Sequence, residues 1–329
     1  MRHMLAIPSG SSARSTTVRG THKRLTAWLL GVALALGGTG CGVEAGLEAG
    51  VEELGTQEAA EVVDNGLSTN GLSTNGLSTN GLSTNGLSTN GLTASSFLSW
   101  FDGDTSHASA LMTYVVRCAV SAGQTRGFTH PRTGVTYSWA GGLGLAPGWA
   151  SGLAATQLEK EVVTACLAAH VNKYAVQVSV SVLGRNAQGT AIPYTATELS
   201  TYSVKEACFF GNVFDTNGGV YAAIDRAYLT SAQTSTRACG LASSAGPSDC
   251  SPLVHVGACA TYCTLAPSAN GSEPYYAECT YNGKTYQPIT TRIRPQEIFS
   301  CGDGTCQFTE SCGTGTTYNS CQADCGTCP

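Results

Sequence analysis

Residues 156–183 read TQLEKEVVTACLAAHVNKYAVQVSVSVL and decide the class of fold. Residues 156–170 predict a helix, because apolar side chains recur there at helical spacing and form one stripe. The stripe consists of Leu158, Val162, Ala165, Cys166 and Ala169. Residues 176–183 alternate apolar and polar side chains, which predicts a half-buried strand. A helix followed by such a strand indicates an α+β fold.

Further elements lie on both sides of this stretch. The dense apolar cluster at 97–101 marks the start of a globular part. Asp104-Thr105-Ser106 can cap a helix that runs to about Cys118. We expect residues 97–300 to form one disulfide-stapled globular domain, since this length is enough for one hydrophobic core.

Two hairpins are predicted within that domain. Residues 126–130 and 135–139 flank a Pro-Arg-Thr-Gly turn. Residues 276–281 and 284–290 flank Asn282-Gly283, a pair that suits a two-residue type I′ turn. This second hairpin carries the tyrosines Tyr275, Tyr276, Tyr281 and Tyr286. Exposed tyrosines there would suit glycan or protein recognition, but cross-strand packing explains the same pattern and is the favoured interpretation.

The N-terminal segment indicates export. Residues 1–40 contain five basic and no acidic residues, and a short apolar run precedes Cys41. That run is too short to span a ~30 Å hydrocarbon core, so residues 1–40 are interpreted as a lipoprotein-type signal peptide. Gly38-Thr39-Gly40-Cys41 resembles a bacterial lipobox, although leucine is usual where Gly38 stands. The resemblance implies a lipid on Cys41; the alternative is an ordinary signal peptide cut nearby.

Residues 41–96 are predicted to be a flexible stalk. The first part is acidic, and residues 65–89 are five copies of Asn-Gly-Leu-Ser-Thr with a degenerate sixth at 90–93. Asn-Gly favours turns, which suits a flexible tether that contributes nothing to a core. The alternative is a pentapeptide β-helix, but the run is short for a stacking repeat.

The cysteines predict disulfides rather than metal sites. Apart from Cys41, eight fall in residues 118–279 and six in 301–328: Cys118, Cys166, Cys208, Cys239, Cys250, Cys259, Cys263, Cys279, Cys301, Cys306, Cys312, Cys321, Cys325 and Cys328. Both numbers are even, as expected for disulfides formed separately within each block in an oxidising compartment. The pairing within each block stays open. Structural zinc needs four soft ligands and is the weaker alternative.

Composition excludes several function classes. Only 12% of residues are charged, and without residues 1–40 the 12 basic and 22 acidic residues give a net charge of −10. Such a chain is not a nucleic-acid binder by bulk charge. No phosphate loop, dinucleotide fingerprint or His-Glu-x-x-His motif occurs.

The repeated NGLST together with LMTYVVRCAV, GLGLAPGW, EACFFGNVF and STRACG resembles a family of uncharacterised secreted lipoproteins of myxobacteria. The resemblance covers residues 25–245 and implies export and a disulfide-bearing domain. It implies no catalytic role.

The tail, residues 301–329, resembles the short Cys-Gly-Asp-Gly-x-Cys modules at the ends of secreted proteins. Asp303, Glu310 and Asp324 are candidate calcium ligands there, because calcium takes hard oxygen donors. The favoured alternative is that these carboxylates cap loops. No other cofactor is expected.

The leading hypothesis is a non-enzymatic, lipid-anchored protein of the cell envelope, in the outer membrane, that displays a disulfide-rich binding or structural domain. Its expected partners are the membrane, through the lipid, and a glycan or protein ligand. The alternative is a secreted hydrolase of envelope or prey polymers, in which Glu206, Asp215 and Asp225 would serve as acid and base.

Overall fold

The computed structural model describes residues 77, 80–174, 176–215, 218–243, 250–269, 271–314 and 319–328. The signal peptide, Cys41, the acidic segment and the first repeats, all within 1–76, lie outside these residues. The first elements are α1 Leu82–Asn85, α2 Thr89–Leu92, α3 Ser95–Gly103, α4 Thr105–Ala119, β1 Thr125–Thr129, β2 Thr136–Ala140, α5 Pro147–Ala150, α6 Gln157–His170, β3 Val180–Gly184, α7 Ala196–Thr201, β4 Val204–Gly211 and β5 Val220–Ile224. There follow β6 Gln233–Thr234, β7 Leu253–Ala258, α8 Cys259–Tyr262, β8 Cys263–Ser268, β9 Gly271–Tyr281, β10 Lys284–Tyr286, β11 Ile289–Ile293, a 3-10 turn Pro295–Glu297, β12 Phe299–Ser300 and α9 Gln322–Cys325.

Helix α6 confirms the helix predicted at 156–170. Thr156 and Glu159 form a capping box that satisfies the first backbone amides of the helix. Nearly the whole helix after the first turn is buried, not just one stripe. The position assigned to Leu158 is wrong, since this side chain is 49% exposed.

The central sheet has five strands in the order β3-β11-β4-β5-β7, antiparallel except for the parallel pair β5–β7. Alternate residues of β4 face opposite layers. Phe209 packs into the cluster that contains α6, whereas Phe210 packs with Tyr276 and Tyr286 of the second sheet. This places a helical layer on one face and a sheet on the other, and confirms the α+β prediction.

Strand β3 is shorter and more deeply buried than predicted. The strand occupies Val180–Gly184, and all five residues are buried. The expectation of a half-buried strand at 176–183 is therefore wrong. Both faces of this strand are covered, since Val182 belongs to the main core and Leu183 packs with Tyr275 of β9.

The second sheet has the order β10-β9-β8 and contains the hairpin predicted at Asn282-Gly283. Its second strand ends at Tyr286 and not at residue 290, because Ile289 and Thr290 belong to β11 of the central sheet. Asn282 and Gly283 have φ angles of 51° and 74°, as a type I′ turn requires. The first predicted hairpin is confirmed as well, with β1 paired to β2. Asp104 caps helix α4 as predicted, because its side chain accepts a hydrogen bond from the backbone N–H of His107.

The last repeats pack into the domain rather than forming a stalk. Leu77, Leu82, Leu87 and Leu92 are between 0 and 2% exposed and belong to the same core cluster as Phe97. The prediction of a flexible stalk is wrong for residues 80–96, because a leucine at every fifth position gives this segment an apolar side that the domain covers. The β-helix alternative is also wrong for this segment, which forms the short helices α1 and α2.

The disulfides confirm the two separate blocks, since none of the seven bonds crosses between 118–279 and 301–328. The pairs are Cys118–Cys166, Cys208–Cys259, Cys239–Cys250, Cys263–Cys279, Cys301–Cys321, Cys306–Cys325 and Cys312–Cys328. This number of disulfides suggests an oxidising, extracellular environment.

The tail nevertheless rests on the main domain. The backbone N–H of Cys301 donates to the carbonyl of Ala232 at 2.8 Å, and the hydroxyls of Thr234 and Thr309 are 2.9 Å apart in a buried contact. Phe308 lies edge-on to Tyr174, with ring centroids 5.4 Å apart. Within the described part of the chain, no helix has the length and apolarity needed to cross a membrane.

Candidate functional site: a cleft at the start of helix α6

The cleft lies at one end of the central sheet. Strands β3 and β4 end there, β11 begins there, and the first turns of α6 stand beside them. Two adjoining depressions, about 430 and about 260 Å³ in volume, share Glu161, Thr285 and Tyr286 as a common wall. Loops that follow strand ends are common places for binding residues on a rigid scaffold.

Glu161 is the central carboxylate of the cleft. Glu161 is buried, with 5% of its surface exposed. One oxygen accepts a hydrogen bond from Gln157 Nε2 at 2.9 Å, and the other accepts one from the backbone N–H of Gln287 at 3.3 Å. Burial raises the pKa of Glu161, and the nearby negative charge of Asp215 adds to this.

Asp215 stands in the loop between β4 and β5 on the smaller depression. Its carboxylate accepts hydrogen bonds from Lys160 Nζ at 2.8 Å and Asn212 Nδ2 at 3.0 Å. The loop is fastened to α6, because the backbone N–H of Val213 donates to Thr164 Oγ1 at 3.0 Å. Asp215 is therefore held in place while its side chain stays 42% exposed.

The larger depression combines apolar and polar groups. Leu158 presents its exposed side chain at one side. Gln287 fixes the opposite wall by donating from Nε2 to the carbonyls of Arg185 and Asn186 at 2.7 and 2.8 Å. Arg185 and Gln188 add donors to this wall, and Lys284 adds a cation to the smaller depression.

Only one of the three carboxylates predicted for acid and base roles lies in this cleft. Glu206 and Asp225 lie at the opposite end of the sheet from Asp215, because Asp215 belongs to the loop that joins the other ends of β4 and β5. Five residues of β4 alone separate the two ends by roughly 17 Å. The predicted three carboxylates do not form one site.

Glu206 and Asp225 have structural partners instead. Glu206 and Arg237 are both 0% exposed, with Oε1 accepting from Nε at 2.7 Å. Asp225 accepts a hydrogen bond from Tyr276 Oη at 2.6 Å and lies 3.7 Å from Lys205 Nζ.

The candidate calcium ligands in the tail bind loop amides. Asp324 accepts from the backbone N–H groups of Gly302 and Gly304 at 2.6 and 2.9 Å. Asp303 accepts from Thr305 N–H and from Gln307 Nε2, both at 2.9 Å. Glu310 accepts from Gln307 N–H at 3.1 Å. Hydrogen bonds from loop N–H groups to these carboxylates are the contacts that the loop-cap interpretation expects.

Among the described residues, three groups of side chains have potential ligand atoms within 4.8 Å of one another: Cys118, Cys166 and His170; Cys208, Cys263 and Cys279; Cys301, Cys321 and Asp324. All of their cysteines are in disulfides. Asp303, Glu310 and Asp324 do not form such a group.

The tyrosine cluster is mainly a packing feature. Tyr275, Tyr276 and Tyr286 are between 1 and 6% exposed. Tyr286 contacts the rings of Phe210 and Tyr221, with centroids 6.0 Å apart in each case. A flat binding face of tyrosines is therefore wrong, and cross-strand and inter-sheet packing accounts for the pattern.

Sequence reasoning missed Glu161, Lys160 and Gln157 as site residues. A signal was present, because positions 157, 160 and 161 share one side of the helix at spacings of three and four. These three polar side chains lie next to the apolar stripe of α6. Their meeting with Asp215 and Gln287 depends on contacts over long sequence separations and has no local signature.

Residues 66–93 match the GLTT repeat family in six copies. The match confirms the repeat tract and covers none of the cleft. Neither the curated proteins nor the solved structures include one with a significant match to this chain.

Proposed function

We propose that this protein is an exported envelope protein, anchored by a lipid on Cys41 to the outer membrane, whose disulfide-rich domain binds a saccharide in the cleft beside Glu161. One observation carries the binding assignment. Two adjoining depressions meet at a carboxylate that is 5% exposed and that is fixed by two hydrogen bonds.

The chemistry of the cleft suits a saccharide. Sugar hydroxyls both donate and accept hydrogen bonds, so they match the carboxylate, amide and cationic groups of the wall. Asp215 and Asn212 supply acceptors and a donor on one side, and Arg185 and Gln188 supply donors on the other. Leu158 offers an apolar surface for the C–H face of a sugar ring.

Calorimetry on the oxidised protein tests this assignment. Soluble N-acetylated and neutral tetrasaccharides serve as probes. We expect binding by the wild type and at least about tenfold weaker binding, or roughly 1.4 kcal/mol, after Lys284→Ala or Asp215→Asn. Lys205→Ala is the matched control, since Lys205 is a half-exposed lysine at the opposite end of the sheet. Absence of wild-type binding, or equal losses in Lys284→Ala and Lys205→Ala, would reject the assignment.

A second candidate function is glycoside hydrolysis. It is favoured by the carboxylates of Glu161 and Asp215 in one cleft, of which Glu161 has a raised pKa and can hold a proton as a general acid. Glu161→Gln separates the two candidates, because it removes the acid and keeps the shape of the cleft. Hydrolysis that is lost while saccharide binding persists would support the enzyme.

The anchor is supported by the lipobox-like residues before Cys41 and by the resemblance to myxobacterial lipoproteins. Cys41→Ser should move the protein from the membrane fraction to the soluble fraction. An unchanged distribution would reject lipid anchoring and would leave the binding assignment intact.

A further inference from the structure

Residues 80–93 pack against a surface formed by Arg126, Trp149, Gly152 and Ala155, here called the groove. Trp149 binds them twice: Nε1 donates to the carbonyl of Leu82 at 2.7 Å, and its own carbonyl accepts the N–H of Leu87 at 3.0 Å. Arg126 Nε donates to the carbonyl of Leu87 at 2.8 Å. Ala155 N–H donates to the carbonyl of Ser83 at 2.8 Å. The groove thus satisfies backbone groups of the repeats and buries their leucines.

The groove also requires glycine at position 86, and the conformation of the repeats themselves requires glycine at position 91. A Cβ atom on Gly86 would lie 2.4 Å from the backbone of Gly152, and one on Gly91 would lie 1.9 Å from the carbonyl oxygen of Gly86. Gly86 also has a φ of 78°, which other residues rarely adopt. The threonines of the repeats face outward, since Thr84 and Thr89 are exposed, whereas Ser83 and Ser88 are partly buried. Gly86 and the leucines are therefore the residues that the groove selects, and Asn80 is buried with them.

The occupants of the groove are interchangeable by sequence. Residues 65–89 are five identical copies, so the copy that places Leu82 is chemically the same as the copies at 65–69 and 70–74. The described groove buries four leucines, from Leu77 to Leu92, whereas the tract contains six. The tract therefore carries more copies of the recognised sequence than these four positions use.

We propose that this groove is a receptor for the NGLST repeat and that the repeat tract of a second copy of this chain can fill it. The exchange replaces contacts within one chain by identical contacts between chains, so its main cost is entropic. Attachment in the same chain acts like a millimolar local concentration, and we expect exchange to require a concentrated protein or a crowded surface.

The number of copies gives the first test. Deletion of residues 65–69 or 65–74 leaves the four positions filled by identical sequence, so the melting temperature should not change. Deletion of 65–84 should lower it, because two leucine positions lose their occupants. A fall of several degrees after deletion of a single copy would overturn the four-position groove.

Addition of a peptide gives the second test. The peptide NGLSTNGLSTNGLST should raise the melting temperature of the 65–84 deletion variant in a saturable manner, whereas the same peptide with alanine in place of leucine should not. No rise with either peptide, or an equal rise with both, would overturn the receptor. Should that variant not fold, the same peptides are added to the full chain carrying Leu82→Ala, with the same two outcomes.

Two differently tagged full-length proteins test the second copy as occupant. After joint incubation at high concentration, recovery of one tag should bring the other with it. Excess free NGLSTNGLSTNGLST peptide should suppress this recovery, whereas the same peptide with alanine in place of leucine should not. Peptide rescue without any co-recovery would overturn the second copy as occupant. This test involves no residue of the saccharide cleft, so its failure and that of the proposed function are distinguishable.

Discussion

Replacement of Arg237 by methionine should be among the most damaging single changes in the chain. The guanidinium is fully buried, donates to Glu206 Oε1 at 2.7 Å, and donates to the carbonyls of Val171 and Ala169 at 3.0 and 2.8 Å. It therefore pairs a buried carboxylate and satisfies carbonyl groups at the end of α6. Methionine has a similar length but no hydrogen-bond donor, so the Glu206 carboxylate and the two carbonyl groups would each lose a partner.

The expected cost is about 3–5 kcal/mol, the range for removing one partner of a buried ion pair. For a domain of this size each kcal/mol shifts the melting temperature by roughly 2–4 °C, so the transition should fall by about 6–20 °C. Differential scanning calorimetry at pH 7 with intact disulfides measures it. The double variant Arg237→Met, Glu206→Leu should be more stable than Arg237→Met alone, because no buried charge is then left unpaired.

A cost below about 1 kcal/mol for Arg237→Met would refute this reasoning, since it would mean that the carboxylate finds water or another partner. Additive effects in the double variant would refute the coupling of the two side chains. The same variants also test the role of Glu206. A chain that folds with leucine at 206 and still binds ligand shows that this carboxylate is structural.

Three further outcomes are expected. Leu87→Ala should lower the free energy of unfolding by about 2–5 kcal/mol. The control Leu153→Ala removes a side chain that is 65% exposed, so it should cost less than about 0.5 kcal/mol. Equal effects of the two substitutions in chemical denaturation would mean that the repeats do not pack on the domain. Asp324→Asn should make the tail more sensitive to protease, since Asp324 loses one of the two oxygens that accept hydrogen bonds from backbone amides. EDTA should leave the protease resistance of the wild-type tail unchanged. Resistance that depends on a metal would contradict the loop-cap role. Burial raises the folded-state pKa of Glu161. The protonated side chain therefore stabilises the fold at low pH, and this contribution is lost as the pH rises through the folded-state pKa. Denaturation midpoints should fall more for wild type than for Glu161→Gln between pH 4 and 7, and parallel profiles of the two proteins would contradict this.

Local patterns predicted the elements whose contacts are local. The helix at 156–170 and the hairpin at Asn282-Gly283 follow from periodicity and turn chemistry. The division of the cysteines into two even blocks follows from parity and spacing. These features survive in the structure because no tertiary contact opposes them.

The repeats show where local patterns fail. Residues 80–84 and 85–89 have the same sequence, yet Leu82 begins a helix and Leu87 lies outside one. Contacts with Trp149 and Arg126, which lie far along the chain, set these two conformations. Helix propensity could not predict the difference, because the two copies have the same sequence. Asn-Gly turn preference was real, but the burial of a leucine in every copy outweighs it.

The candidate site was predicted only at Asp215. Glu206 and Asp225 share its residue type, but the direction of β4 and β5 places them at the other end of the sheet. Glu161 was missed because its partner Gln287 is 126 residues away. Strand order and long-range pairing decide which carboxylates meet, and neither is visible in a single sequence.

Hydrogen–deuterium exchange of the oxidised protein, with and without an N-acetylated tetrasaccharide, tests the central claim most directly. The saccharide cleft predicts slower exchange in the β4–β5 loop around Asp215 and in the segment from Lys284 to Gln287, with no change around Asp225 or in the tail. Protection confined to the opposite end of the sheet, or no protection at saturating saccharide, would contradict the account.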